Sequence, residues 1–284
     1  MSQAQQPSDP TFRAYSAQQG ATYAEHRRNY NPKLYDAIIS FHKEGSGQFD
    51  ALIDVGCGPG TATRSLAPHF KTAYGLDPSE GMISTARSIT TLGNVKFEVS
   101  SAESLGSELA NPIPDGSVDV ITGATCAHWF DMPRFWEQAA KTLRPGGTVA
   151  LWTAANYMLP GNLMVRDLYR GLPLPWTLDP PVSTFDQDSF VRKEWCTGPD
   201  SETMFFEHSP PVNLDMVEMV LGTASPVTRW REAHPEAFGT ENDVIRQIRR
   251  RIEKILGDAG VEKGKEMLTG DMTGVLLLVR KRSD

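Results

Sequence analysis

The chain has few cysteines, few positive charges and no long hydrophobic stretch. Its three cysteines, Cys57, Cys126 and Cys196, do not share the spacing of metal ligands, so we expect neither a disulfide scaffold nor a metal site. The longest apolar run, near Gly274–Val279, has the length of a strand, whereas a membrane-spanning helix needs about 20 residues. These absences favour a cytoplasmic protein that has no membrane partner.

Positive charge is also scarce, with 28 Lys and Arg against 35 Asp and Glu, for a net charge of −7 over 284 residues. An acidic chain without a dense basic block is a poor candidate for binding nucleic acid. Hydrophobic residues make up 39% of the chain, which is enough for a sizeable core. Residues 1–10 are rich in Gln, Ser and Pro, so we predict a disordered tail and no signal peptide.

Short apolar runs alternate with segments of helical periodicity between about Asp50 and Thr153. We predict strands at Ala51–Val55, Thr72–Leu76, Val95–Val99, Val118–Thr122 and Thr148–Trp152, and helices at Thr61–Phe70, Ser79–Ile89 and Asp131–Leu143. This alternation is typical of an α/β fold in which a parallel sheet carries helices on both faces. Further along we predict strands at Thr203–Glu207 and Thr273–Lys281 and helices at Leu214–Leu221 and Glu241–Leu256.

A glycine-rich loop follows the first predicted strand, with the sequence Asp54-Val-Gly56-Cys57-Gly58-Pro-Gly60-Thr61. Glycines there let the backbone turn tightly and approach a ligand closely, so we expect a ligand at the carboxyl ends of the strands. Asp77 ends the second predicted strand. It either accepts hydrogen bonds from both hydroxyls of a ribose or stabilises the turn at Pro78. The loop fits the dinucleotide fingerprint imperfectly, because Thr61 replaces the last glycine.

Four motifs together resemble those of class I S-adenosylmethionine-dependent methyltransferases. They are Asp54-x-Gly56-x-Gly58-x-Gly60, Asp77-Pro-Ser79-x-x-Met82, Ser101-Ala102-Glu103 and Leu143-Arg144-Pro145-Gly146-Gly147. The resemblance implies a doubly wound, mostly parallel seven-stranded sheet, the Rossmann-like methyltransferase fold, with an antiparallel last strand and a helical cap. A narrower resemblance, to the fungal trans-aconitate methyltransferases, which form carboxylate methyl esters, lies in Tyr23-x-x-x-Arg27-x-x-Tyr30, Leu34-Tyr35 and Cys126–Asp131.

The resemblance implies S-adenosylmethionine as the cofactor and S-adenosylhomocysteine as the product. Asp54 would orient the ammonium group of the cofactor, the glycine loop would pass under its methionine part, and Asp77 would hold the ribose. Met82 would pack on the adenine unless it is simply a core residue, and Ala102 and Glu103 would meet the adenine edge. The expected cofactor-binding residues are Asp54, Gly56, Cys57, Gly58, Gly60, Asp77, Pro78, Met82, Ser101, Ala102, Glu103, Thr125 and Cys126.

His128 and Trp129 follow the fourth predicted strand, so we expect them to face the site from the carboxyl edge of the sheet. His128 is the catalytic candidate: when neutral it could accept a proton from a hydroxyl or thiol, and when protonated it could hold a carboxylate. A purely structural role for His128 is equally compatible with the sequence. The expected acceptor-binding residues are Tyr23, Arg27, Tyr30, His128, Trp129, Trp152 and Arg229, with Arg27 first and Arg229 second as contacts for an anion.

A carboxylate acceptor is already ionised at neutral pH and needs no general base. We therefore predict methyl transfer to a small molecule, at a carboxylate oxygen of a polycarboxylic acid such as trans-aconitate. The alternatives are methylation of a hydroxyl, amine or thiol of a specialised metabolite, cofactor binding without methyl transfer, and a nicotinamide-dependent oxidoreductase. We predict a monomer with one domain at 11–284. Its cofactor core would be 46–155 and 273–284, with a lid at 11–45 and a cap at 156–270.

Overall fold

The computed structural model describes residues 16, 20–21, 24, 29–45, 47–157, 181, 183–196, 211–223, 225–268 and 272–283. The strands in this part of the chain are β1 (Ala51–Val55), β2 (Thr72–Asp77), β3 (Val95–Val99), β4 (Val118–Ala124), β5 (Leu143–Tyr157), β6 (Phe185–Cys196), β7 (Val212–Asn213), β8 (Met267–Leu268) and β9 (Met272–Lys281). Seven of them form one sheet in the order β3-β2-β1-β4-β5-β9-β6, and β7 and β8 form a small ribbon. β1 to β5 are parallel, and β9 is antiparallel to β5 and β6. The predicted sheet is confirmed.

The helices of the described residues are α1 (Pro32–Glu44), α2 (Thr61–Leu66), α3 (Glu80–Ser88), α4 (Met132–Thr142), α5 (Leu214–Gly222), α6 (Ser225–Ala233) and α7 (Val244–Asp258). Five of them begin at a side chain that accepts a hydrogen bond from a backbone N–H of the first turn: Asn31, Ser79, Asp131, Asn213 and Asp243. Such caps satisfy donors that the helix leaves unpaired. α2 is shorter than predicted because Pro68 lacks the N–H that would continue it, and the chain passes into a 3-10 turn at Ala67–His69.

Both faces of the sheet are covered, because successive side chains of a strand point to opposite faces. On one face Leu52 and Val120 pack in a cluster with Ile38 of α1. On the other face Ile53 packs in a cluster with Phe135 of α4. All five of these side chains are fully buried. The near-continuous apolar strands that predict a parallel sheet are therefore explained by burial on two sides.

The motif Leu143-Arg144-Pro145-Gly146-Gly147 forms an irregularity at the start of β5. Val118 pairs with Leu143, and the pairing then resumes between Val120 and Thr148. The extra residues of β5 are accommodated where Gly146 adopts a φ of +76°. α4 ends at Thr142, so the predicted helix stop is confirmed within one residue.

The strand β6 was not predicted, and it lies inside the segment assigned to the cap. Among the described residues it pairs with β9 alone, at the edge of the sheet, with a shift in register between Asp186 and Val191. Edge strands commonly carry charged residues and irregularities, and these obscure the alternation that identifies a strand in the sequence. The structure thus assigns 185–196 to the sheet, whereas the strand expected at Thr203–Glu207 lies outside the described residues.

The helices α5, α6 and α7 pack around an apolar core of their own, which includes Val217, Val227, Ile245 and Ile248. Arg249 on α7 forms ion pairs with the carboxylates of Asp215, Glu218 and Glu253, so its positive charge is balanced by neighbouring residues. Of the helices that the structure describes, none has the length and apolarity needed to cross a membrane.

The strand β9 contacts the helix α1 directly. Arg280 donates from Nη2 to the backbone oxygen of Phe41 at 2.6 Å, and its guanidinium carbon lies 4.0 Å from the centre of the Phe41 ring. The two residues are separated by 239 positions in the sequence. The contact joins one of the last residues of the sheet to the helix that precedes β1.

Candidate functional site

The glycine loop connects β1 to α2 at the carboxyl edge of the parallel strands. Gly56, Gly58 and Gly60 all have positive φ values, of 62°, 53° and 83°. A Cβ atom at Gly56 would lie 2.8 Å from Cβ of Cys126, and one at Gly60 would lie 2.5 Å from the Phe97 ring. A Cβ atom at Gly58 would meet nothing within 4 Å. Gly58 therefore borders open space, while the other two glycines are required by close packing.

Asp77 lies at the end of β2, beside this loop. Its Oδ2 atom accepts a hydrogen bond from the Gly58 N–H and its Oδ1 atom accepts one from the Ser79 N–H, both at 2.9 Å. Pro78 between them is half-buried. Burial raises the pKa of the Asp77 carboxyl to about 6, against the lowering effect of the two backbone hydrogen bonds. A carboxylate in this position could accept hydrogen bonds from a ligand through its remaining lone pairs.

Asp54 lies deeper than Asp77 and is fully buried. It accepts hydrogen bonds from the hydroxyls of Thr63 on α2, at 2.6 Å, and Thr122 on β4, at 2.8 Å. Burial raises its pKa to about 6. These contacts show that Asp54 ties β1 to its neighbours beneath the loop, and its expected contact with a cofactor ammonium stays a prediction. Neither threonine is among the expected site residues: Thr63 lies just beyond the loop motif, and Thr122 is brought to Asp54 by the pairing of β4 with β1.

Two buried cysteines, Cys57 and Cys126, lie under and beside the loop. The backbone N–H of Cys57 donates to Leu76 of β2 at 3.0 Å, and the thiol of Cys126 donates to the Val55 oxygen at 3.2 Å. Burial raises the pKa of both thiols well above the ordinary range. Both side chains are therefore protonated at neutral pH, which suits packing and not nucleophilic chemistry.

The residues expected near the adenine follow β2 and β3. Met82 is buried in α3, and Ala102 is buried after β3. Ser101 donates a hydrogen bond to the Ser104 hydroxyl within the same turn, at 3.3 Å. Glu103 accepts a hydrogen bond from the Asp131 N–H at 3.0 Å, so one of its oxygens already holds the start of α4. The expected contacts of these residues with adenine stay predictions.

The segment after β4 brings several predicted residues together. Thr125 has a φ of +56°, which is unusual for a β-branched residue. Its N–H donates to the Trp152 oxygen at 2.7 Å, and its hydroxyl shares a hydrogen bond of 3.2 Å with the Tyr30 hydroxyl. The Tyr30 ring meets the Trp152 ring edge-on at 5.4 Å. Tyr30 and Trp152 thus form an aromatic wall beside Thr125, whereas Tyr23 and Arg27 lie outside the described residues.

His128 and Trp129 occupy the 3-10 turn that follows Thr125 and Cys126. The Nδ1 atom of His128 is buried and has no hydrogen-bond partner within the described part of the chain. Burial lowers the pKa of His128 to about 4, so the ring is neutral at pH 7. The guanidinium carbon of Arg229, on α6, lies 5.0 Å from the centre of the Trp129 ring. The structure therefore brings Arg229 to this turn although 100 residues separate the two in sequence.

Comparison with known proteins agrees with this geometry. Residues 53–151 match the model of a family described as a methyltransferase domain. A Dictyostelium discoideum protein named as a methyltransferase is 39% identical over 50% of this chain and 49% of its own length. A Saccharomyces cerevisiae protein named as an S-adenosylmethionine-dependent methyltransferase is 34% identical over 47% and 45%. The chain thus spans about half the length of these curated relatives.

A solved structure described as a type II methyltransferase from Anaeromyxobacter dehalogenans aligns over 90% of this chain and 98% of its own, with a TM-score of 0.53 and 23% identity. The chain has a Rossmann-like methyltransferase fold. The glycine loop lies at the carboxyl edge of β1, within the residues that match the family model.

Proposed function

We propose that this protein transfers a methyl group from S-adenosylmethionine to a small molecule. The observation that carries the proposal is the open space at Gly58 next to the Asp77 carboxylate, in a chain segment that matches a methyltransferase domain. Both residues lie where an α/β sheet of this kind binds its ligands. The negative net charge of the chain is compatible with a cofactor that carries a positive sulfonium.

The residues present fit this cofactor. Gly58 leaves room for a ligand to approach the backbone, and the Asp77 carboxylate can accept hydrogen bonds from two ribose hydroxyls. Cys126, just after β4, borders the same loop, on the side assigned to the methionine part, and Thr125 precedes it. When bound, S-adenosylmethionine would supply an electrophilic methyl group on sulfur.

The protein would then contribute alignment and exclusion of water rather than proton transfer. The aromatic wall of the half-buried Tyr30 and the buried Trp152 lies beside Thr125 and would exclude water from the methionine side. An acceptor would have to lie opposite the sulfur, and Trp129 offers an apolar surface for it. No general base is needed if the acceptor is already ionised.

We propose a carboxylate oxygen of a small polycarboxylic acid, such as trans-aconitate, as the acceptor. The position of Arg229 over the Trp129 ring supports this choice, because a guanidinium pairs with a carboxylate through two parallel hydrogen bonds. His128 does not serve as the cation for a carboxylate, because its low pKa keeps it neutral at pH 7.

A hydroxyl of a specialised metabolite is the second candidate acceptor, and His128 is the observation that favours it. Its buried Nδ1 atom lacks a partner among the described residues, and a neutral imidazole can accept the proton that a hydroxyl loses on methylation. The same residue would be dispensable for a carboxylate acceptor. The effect of a His128 variant on turnover therefore separates the two candidates.

The function is tested by incubating the protein with labelled S-adenosylmethionine and a panel of polycarboxylic acids, phenols, amines and thiols. Formation of S-adenosylhomocysteine that depends on an acceptor supports methyl transfer. Base-labile label identifies a methyl ester, and base-stable label identifies an ether or amine. Tight binding of S-adenosylhomocysteine without turnover on any acceptor would favour a binding protein. Tight binding of NADH alone would overturn the assignment.

A further inference from the structure

The backbone of Thr125 is held in a conformation that threonine rarely adopts. Its φ of +56° lies in the left-handed region, where a β-branched side chain is strained. Two contacts hold it there: the N–H bond to the Trp152 oxygen and the hydroxyl bond to Tyr30. The next residue, Cys126, lies against Gly56 of the glycine loop. The conformation of Thr125 therefore determines where Cys126 meets the loop.

The side chain of Tyr30 is held in place by aromatic neighbours and by the start of α1. Its ring meets Trp152 edge-on at 5.4 Å and Tyr35 edge-on at 6.3 Å. The following residue, Asn31, caps α1 by accepting a hydrogen bond from the Lys33 N–H. Tyr30 is thus fixed by the start of α1 on one side and by Trp152 of β5 on the other. A side chain held in this way can restrain a neighbour at little further cost in conformational entropy.

We propose that Tyr30 is a positioning residue that acts through Thr125. Its hydroxyl holds Thr125 in the left-handed conformation and so keeps Cys126 seated against the loop on which the cofactor binds. This inference rests on the proposed function, because it assumes that the loop binds S-adenosylmethionine. It differs from the expectation that Tyr30 contacts the methyl acceptor, since the effect of Tyr30 should fall on cofactor affinity.

The first test is Tyr30→Phe, which removes only the hydroxyl. We expect the affinity for S-adenosylhomocysteine, measured by calorimetry, to fall by about 2- to 12-fold, the change that corresponds to one hydrogen bond. KM for S-adenosylmethionine should rise by a similar factor, while kcat and KM for the acceptor change little. Tyr74→Phe, which removes a hydroxyl from β2, is the matched control. A Tyr30→Phe protein that changes only KM for the acceptor would overturn the proposal.

Two variants of Thr125 separate strain from the hydrogen bond itself. Thr125→Val removes the hydroxyl and keeps the β-branch, whereas Thr125→Gly removes the hydroxyl together with the strain. We expect Thr125→Gly to bind S-adenosylhomocysteine about fivefold or more tightly than Thr125→Val. Adding Tyr30→Phe to Thr125→Gly should have no further effect. Equal affinities of the glycine and valine variants, or an undiminished Tyr30→Phe effect in the glycine background, would contradict a role through backbone conformation.

The unliganded protein provides an independent measurement. The free energies of unfolding of Tyr30→Phe, Thr125→Val and the double variant form a cycle, in which we expect non-additivity because the two hydroxyls share one bond. A wild-type protein that does not bind S-adenosylhomocysteine would refute the proposed function and leave this cycle measurable. Additive free energies in the cycle would refute the Tyr30 proposal, whatever the ligand.

Discussion

The substitution Asp77→Asn should stabilise the unliganded protein and weaken cofactor binding. Burial raises the pKa of Asp77 from its ordinary value near 4 to about 6 in the folded state. Above pH 6, a rise in pKa of this size means that the ionised Asp77 carboxylate destabilises the folded protein by about 3 kcal/mol. Asparagine removes this cost and loses about 1 kcal/mol for one of the two backbone hydrogen bonds. The expected net gain in the free energy of unfolding is about 2 kcal/mol.

The sign of the pH dependence follows from the direction of the shift. Because the folded-state pKa is raised, the folded protein holds its proton more tightly than the unfolded chain. The contribution of Asp77 to stability is therefore largest below about pH 4 and is lost as the pH rises through about 6. The gain of the variant over the wild type should be greatest near pH 8. Below about pH 4 the variant should be about 1 kcal/mol less stable than the wild type, because only the lost hydrogen bond remains.

The affinity for S-adenosylhomocysteine should change in the opposite direction. Loss of a charge-assisted hydrogen bond to ribose costs about 1.5–3 kcal/mol, which corresponds to an affinity about 10- to 150-fold lower. Urea unfolding and calorimetry measure the two quantities, and Asp36→Asn, on the exposed surface of α1, is the control. A variant that is less stable than the wild type at about pH 8 would refute the burial argument. Unchanged affinity would refute the ribose contact.

Three further substitutions test other parts of the site. Gly58→Val should abolish S-adenosylhomocysteine binding in calorimetry, because its side chain enters the open space, and it should lower stability by about 1–2 kcal/mol, because a φ of +53° strains a β-branched residue. Gly60→Val should unfold the protein by clashing with Phe97. A folded Gly58→Val protein with wild-type affinity would contradict the first expectation. Arg229→Gln should raise KM for a carboxylate acceptor by about tenfold or more and leave KM for S-adenosylmethionine unchanged. A variant in which only KM for S-adenosylmethionine rises would exclude Arg229 as the anchor of the acceptor. Burial lowers the pKa of His128 to about 4, so the wild type should lose stability as the pH falls from about 6.5 to about 4. Over this range the free energy of unfolding of His128→Asn should rise by up to about 3 kcal/mol relative to the wild type. A difference in urea unfolding that does not change with pH would argue against burial of His128.

The local parts of the site are predictable from the sequence. The glycine loop, Asp77 and the Ser79 cap follow from short-range rules about which residues permit turns and start helices. The sheet follows from apolar strands that repeat between helical segments. Each of these features is encoded within about ten residues of chain, so no knowledge of distant contacts is required.

The remaining features depend on contacts between distant segments. The hydrogen bond from Thr122 to Asp54 joins residues 68 positions apart, and that between Tyr30 and Thr125 joins residues 95 apart. Nothing in the residue type of Thr125 indicates a left-handed backbone, because threonine disfavours it. β6 was missed for a related reason: as an edge strand it buries less, so its polar residues hide the pattern.

The contact between Arg280 and Phe41 has a consequence for how the protein reaches its native state during synthesis. α1 emerges from the ribosome long before β9, so it cannot receive the hydrogen bond and the guanidinium that Arg280 supplies. Full docking of α1 therefore awaits the synthesis of β9. Loss of the residues around Arg280 would remove this contact and weaken the packing of α1 on the sheet.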